Sequence, residues 1–286
     1  MTEGQKFYST STLACPYTLD DVLAGRVIRL SPALITITDG RMSHPPYELH
    51  VEVLECVTAL VEHGVRSFHV DINFDDYSGF GTTGPDRNAS VFTPEFVADL
   101  NQRVQSQDAF LTLHLLTDCL DRHLPDFAHL PLGAVCFQLD VIQDSAQLAD
   151  LVQQILDIGA CASPVIETVG TERLIPCSPA EVRALLEPVL PQIGMLTFQA
   201  AGTASRSNVS GFARDQVAAY LEELKPGFGG TIQIQGGITT ATISEAVRLG
   251  AEFLVCGTQL FRHPDKLTPS EVANIMLREA ADALGS

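Results

Sequence analysis

Lysine is almost missing from this chain. Only Lys6, Lys225 and Lys266 occur in 286 residues, and none lies at the carboxyl end of an apolar run. Schiff-base catalysis, which needs an amine at such a position, is thereby set aside. Positive charge is scarce altogether: the formal net charge is −18, and the arginines are scattered rather than clustered. Long-range electrostatics therefore oppose nucleic acid and anionic membrane surfaces, and an anionic substrate must be gathered locally. Cysteine is present but unpaired in pattern. Seven of them, an odd count with several inside apolar runs, read as small hydrophobes in a reducing compartment rather than a disulfide framework. No apolar run is long enough to span a bilayer, and Met1–Asp20 lacks the basic start and apolar stretch of a leader. A cytoplasmic protein without nucleic-acid or membrane partners is expected.

What is present is an alternation of short apolar runs with amphipathic ones. Val27–Ile37, Ser67–Ile72, Phe110–Leu116, Ala134–Val141, Ala160–Thr168, Met195–Gln199, Thr231–Gln235 and Phe253–Cys256 read as strands. Helical periods follow each, for example Pro46–His63 closed by Gly64, a helix from Thr93-Pro94, and one from Ser178-Pro179. Eight such units predict a closed (β/α)8 barrel over residues 26–286, with 1–25 as an extension outside the repeat. An open parallel sheet is the alternative architecture.

Within the second strand, alternation sends His69 and Asp71 to one face and Phe68, Val70 and Ile72 to the other. In the third, His114 shares a face with Thr112. Two imidazoles and a carboxylate on adjacent strand ends suit one divalent ion, Zn, Mn, Fe or Co. Singly, each histidine also fits a hydrogen-bonded core position; the joint pattern favours a metal. Asp71, His114, Asp140, Glu167, Gln199, Gln235 and Gly257 all fall at expected strand carboxyl ends, where barrel chemistry resides. After the seventh and eighth strands come Gly236-Gly237 and Gly257-Thr258, glycines that let backbone N–H groups approach a phosphate. Arg206, in the polar segment after the sixth strand, is a candidate clamp on a phosphate oxygen. Pro226–Gly230 looks similar but precedes a strand, and reads as a turn on the opposite face.

Taken together, these residues resemble the ribulose-phosphate 3-epimerase family of ribulose-phosphate-binding barrels. The likeness is carried by Leu30-Ser31-Pro32-Ala33-Leu34-Ile35, Phe68-His69-Val70-Asp71, Leu113-His114-Leu115, Phe137-Gln138-Leu139-Asp140, Gly236-Gly237 and Ala251–Thr258. It implies a divalent metal on His69, Asp71 and His114, a sugar phosphate held by Gly236, Gly237, Gly257 and Thr258, and proton abstraction beside a carbonyl by Asp71. A homo-oligomer is expected, since barrels of this kind often pair through helices. The chain departs from the family at Gln235, where an Asp is the usual second acid/base, and at Ala33, where a Ser is usual. Gln199–Thr203 replaces the usual glycine-rich loop, and the segment Asn73–Asn88 is longer. Gln235 retains an amide that can bind substrate or metal but cannot titrate; Asp140, Glu167 or a water is left to supply the second proton. A metal-dependent epimerase or isomerase of a ketose phosphate is the expected activity. A metal-dependent lyase or aldolase, or a non-catalytic sugar-phosphate binder, are the alternatives.

Overall fold

The computed structural model describes residues 28–41, 43–78, 88–107, 109–170, 177–201 and 211–285. The expected extension over 1–25 and the candidate clamp Arg206 lie outside the described residues. Eight strands alternate with helices: β1 Arg29–Pro32, α1 Ile35–Thr38, α2 Pro46–Glu62, β2 Ser67–Asn73, α3 Pro94–Gln105, β3 Phe110–Leu116, α4 Leu120–Phe127, β4 Ala134–Gln138 and α5 Ser145–Asp157. There follow β5 Cys161–Glu167, α6 Pro179–Leu186, β6 Met195–Gln199, α7 Arg214–Leu224, β7 Thr231–Gln235, α8 Ile243–Arg248, β8 Phe253–Cys256, α9 Thr258–Phe261 and α10 Pro269–Gly285. All strand pairs are parallel, in the order β1-β8-β7-β6-β5-β4-β3-β2. The ring closes between β1 and β2 through a bridge pairing Ala33 with His69 and a 2.9 Å bond from Leu34 N–H to the His69 carbonyl. This is the (β/α)8 barrel.

Local chemistry sets the helix starts. Pro46, Pro94 and Pro179 occupy first-turn positions, where the missing N–H costs nothing. Ser178 and Glu181 form a reciprocal capping box, and the Asp144 carboxylate accepts from Ala146 and Gln147 N–H. On α2, Leu49, Val53, Val57, Leu60 and Val61 recur at helical spacing and are all buried against the sheet's outer face. Each such side chain contributes roughly 1.5–3 kcal/mol on burial, as an upper bound.

Two expected strands stop well short at their carboxyl ends. The run expected as Val27–Ile37 leaves the ring after Ala33, and Ile35–Thr38 is helical although rich in β-branched residues. Tertiary closure at His69 overrides the propensity. The run expected as Ala134–Val141 stops at Gln138, and Leu139–Val141 makes a 3₁₀ turn. Asp140 therefore stands beyond the strand rather than at its end.

The barrel interior is layered. At the amino ends Phe110, Ala134, Cys161, Met195 and Phe253 form an apolar floor separate from the main core. Above it lies a polar tier where branched hydrocarbon side chains usually stack. Thr197 Oγ1 meets Ser163 Oγ at 2.7 Å and accepts from Gln233 Nε2 at 3.0 Å, while Ser31 and Ser67 pair at 2.9 Å. Cys136 lies in the same tier, its thiol pushed up to about 12 by burial. Two residues further along the strands comes the rim.

Candidate metal and phosphate site

His69 and Asp71 rise from β2 and His114 from β3, which pairs Asp71 with His114 in register. His114 Nδ1 lies 2.8 Å, and His69 Nε2 3.1 Å, from Asp71 Oδ1. The three residues offer ligand atoms all within 4.8 Å of one another. Both histidines are buried, and Asp71 keeps 14% of its side chain exposed, enough to meet a substrate. Burial alone would raise the Asp71 carboxyl. The charge of His69 and hydrogen bonds from both rings outweigh it and hold the group well below the usual carboxylate range. Oδ1 serves both rings, leaving Oδ2 uncommitted.

The donor chemistry fits a divalent ion: two imidazoles and one carboxylate converge. Among the described residues, His69 Nδ1 and Gln235 Oε1 are buried and find no hydrogen-bond partner, the kind of polar atom that an additional bound group satisfies. Asn88, which follows β2 in the chain, holds the Asp71 backbone in place. Buried Asn88 donates from Nδ2 to the Asp71 carbonyl at 2.9 Å and accepts from Asn73 N–H at 2.7 Å.

Gln138, at the end of β4, links the cluster to the far rim. Its Oε1 lies 3.1 Å from His114 Nε2, while its Nε2 donates to Tyr77 Oη at 3.0 Å and to Glu167 Oε1 at 3.2 Å. Sequence reasoning quoted Gln138 within a motif without giving it a role, and passed over Tyr77 and Asn88. Strand alternation, which puts Gln138 in phase with Cys136, was the available signal for the first; loop residues carry no such period.

Glu167 closes β5 as expected. Burial pushes its carboxyl up to about 8, the hydrogen bond from Gln138 lowers it, and the charge of Asp140 raises it. Because the folded group binds its proton more tightly than the unfolded chain does, stability falls as pH rises from about 4.5 toward 8. Glu167→Gln is thus expected to raise the melting temperature at pH 8 by the equivalent of ~2 kcal/mol, discounted for water at the rim. The gain should vanish near pH 4.5; thermal melts across that range check it, and a pH-independent difference would contradict it. Asp140 is exposed on its 3₁₀ turn; the surrounding protein and Asp118 push it up to about 6.

Gln235 does not bond to the His–Asp–His group. Its Nε2 donates to Gln199 Oε1 at 2.7 Å across the β6–β7 pair. Gly236 and Gly237 follow at φ +82° and +71°. A Cβ on Gly236 would sit 2.9 Å from Ala201 N, and one on Gly237 3.0 Å from Phe212 N. Glycine is required at both by conformation and by space. Gly257 caps α9, with Thr36 Oγ1 2.3 Å from where its Cβ would be. Thr258 and Gln259 open that helix, so their N–H groups have no partner within it. These segments lie at the carboxyl ends of paired strands β7 and β8, where a phosphate is commonly held in this fold.

No family model matches the chain. It is 25% identical over 177 residues to a ribulose-phosphate 3-epimerase of Candida glabrata, a match covering 62% of this chain and 64% of that protein. The matched stretch is thus just under two thirds of the curated relative's length. Among solved structures it superposes on tryptophan synthase of Mycobacterium tuberculosis with TM-score 0.65, 12% identity and coverage of 92% and 96% of the two chains. For the tryptophan synthase alpha chain of Legionella pneumophila the values are 0.62, 14%, 93% and 96%. For a thiamine phosphate pyrophosphorylase of Pyrococcus furiosus they are 0.54, 12%, 92% and 100%. At such identities the structural likeness establishes the barrel. With the curated relative, it supports a barrel of the ribulose-phosphate-binding kind. No helix of the described residues is long and apolar enough to cross a membrane.

Proposed function

We propose that this protein is a metal-dependent epimerase or isomerase of a ketose phosphate, working by proton abstraction beside the carbonyl. The observation that carries the reading is the convergence of His69, Asp71 and His114 within 4.8 Å at the carboxyl ends of β2 and β3. The glycines after β7 and β8 supply the second requirement, a place for the phosphate, and the epimerase relative is similar in sequence.

His69, Asp71 and His114 would hold the ion, which when bound supplies Lewis-acid stabilisation for charge developing on the substrate's oxygens. Asp71 Oδ2 takes the proton from the carbon next to the carbonyl; the C–H electron pair moves into the carbon–carbon bond of an enediolate, and the carbonyl oxygen gains the charge. Its lowered proton affinity keeps Asp71 ionised at neutral pH, so the carboxylate carries no proton when substrate arrives. Backbone N–H groups of Gly236, Gly237 and Thr258 fix the phosphate, so that the reacting carbon is presented to Asp71 rather than sampled by diffusion.

Wild-type protein loaded with divalent metal and incubated with phosphorylated ketoses in D2O is expected to incorporate deuterium beside the carbonyl, read by mass. Asp71→Asn is expected to lower that rate by 10²–10⁴-fold, the usual contribution of a general base. Exchange unchanged in Asp71→Asn would place the base elsewhere, and no exchange by the wild type with any ketose phosphate would overturn the reading.

A further inference from the structure

Epimerisation takes a proton from one face of a carbon and returns one to the other, yet Gln235 cannot titrate and its amide is engaged with Gln199. A second proton-transfer group must stand across the rim from Asp71. In an eight-strand ring, neighbours are roughly 45° apart about the axis, so β2 and β5 are separated by roughly 135°. Glu167 ends β5. It is partly exposed rather than sealed, and it pairs in register with Gln199 at the end of β6. Asp140, the other carboxylate considered, sits outside the strand on an exposed turn and forms no side-chain hydrogen bond to the His–Asp–His group or to Gln138.

Resting on the functional reading above, we propose that Glu167 is the second proton-transfer group, serving the substrate face opposite to that of Asp71. In the structure one chain of hydrogen bonds joins Glu167 to Asp71. Asp71 Oδ1 to His114 Nδ1 is 2.8 Å, His114 Nε2 to Gln138 Oε1 3.1 Å, and Gln138 Nε2 to Glu167 Oε1 3.2 Å. The Gln138 amide also bonds to buried Tyr77, and in this orientation it presents N–H to Glu167. That donor occupies Oε1 and leaves Oε2 for the substrate. Burial pushes the Glu167 carboxyl up to about 8, so at neutral pH it carries a proton to give.

The step balances. Asp71 Oδ2 forms a bond to the departing proton as the C–H bond breaks, and its electrons enter the enediolate. The enediolate then takes the proton from Glu167 Oε2 on the far face, the carbonyl reforms, and the electron pair of the broken O–H bond stays on Glu167 as carboxylate. Proton exchange with water resets the pair.

The test uses metal-loaded full-length protein and two pairs of C3 epimers in D2O: ribulose and xylulose 5-phosphates, and fructose and psicose 6-phosphates. Wild type is expected to interconvert one pair and to exchange deuterium from both members. Glu167→Gln is expected to slow interconversion by at least about 100-fold, yet to keep exchange from the epimer whose proton faces Asp71 and lose it from the other. Exchange lost equally from both epimers, or full turnover in Glu167→Gln, would overturn the proposal while leaving the functional reading standing. A wild type inert toward all four sugars overturns both. Should Glu167→Gln not fold, Glu167→Asp decides: a selective loss from one epimer supports the proposal, an even loss refutes it.

Discussion

His114→Ala is expected to strip the protein of stoichiometric divalent metal while leaving the barrel folded. The imidazole is one of three converging donors, and its Nδ1 lies 2.8 Å from the Asp71 carboxylate. Removing a residue that merely orients a ligand costs 10- to 100-fold in affinity, so deleting a donor itself should cost more than about 100-fold. Folding should survive. The outward face of β3 packs Leu111, Leu113 and Leu115 into the main core, and that packing does not involve the ring. The loss is the pairing of Asp71 and Gln138 plus a small cavity at the rim, about 2–3 kcal/mol together. Metal content after equilibration with Zn or Mn and desalting, measured beside a thermal melt, checks both halves. A stoichiometric ion retained by a folded His114→Ala would refute the site. A collapsed chain would mark the histidine as a core residue.

Gly236→Ala should produce the second large effect, on stability and on phosphate recognition together. The φ of +82° costs an L-residue about 1–2 kcal/mol. The new methyl would also lie 2.7 Å from Gln199 Nε2 and 2.9 Å from Ala201 N. Backbone cannot rotate aside as a side chain can, so the segment after β6 must move. The expected total is about 3 kcal/mol, with phosphate-bearing ligands weakened at least 10-fold. Gly159→Ala is the control: its φ is +80°, but nothing lies within 4 Å of the added carbon. It should cost only the conformational part and leave ligand binding unchanged. Equal losses in the two variants, by chemical denaturation and by titration with the exchanging ketose phosphate, would remove the close-approach argument.

Strand alternation explains why so much of the rim was legible in sequence. Period-two reading put His69, Asp71 and His114 on one face, and the structure brings those side chains together. It failed where tertiary contacts end a strand. Ile35–Thr38 has the β-branched content of a strand, yet the chain turns helical once Leu34 bonds to His69, a residue far away in sequence. Asp140 was placed within the fourth strand, but that strand stops at Gln138 and Asp140 stands on the 3₁₀ turn just past it. Tyr77 was invisible for another reason. Its contact with Gln138 spans 61 residues of chain, and an isolated Tyr looks the same whether or not it has one.

The hydroxyl and amide tier inside the ring has a consequence for assembly. A strand displaced by two residues would keep every side chain on its proper face, so hydrophobic patterning alone penalises that error weakly. Directional bonds are less forgiving. Thr197 is met from β5 by Ser163 and from β7 by Gln233, and sliding any of the three staves strands a polar atom in a dry interior. The plug thus acts as a ratchet on stagger, and hands the rim above it a fixed alignment.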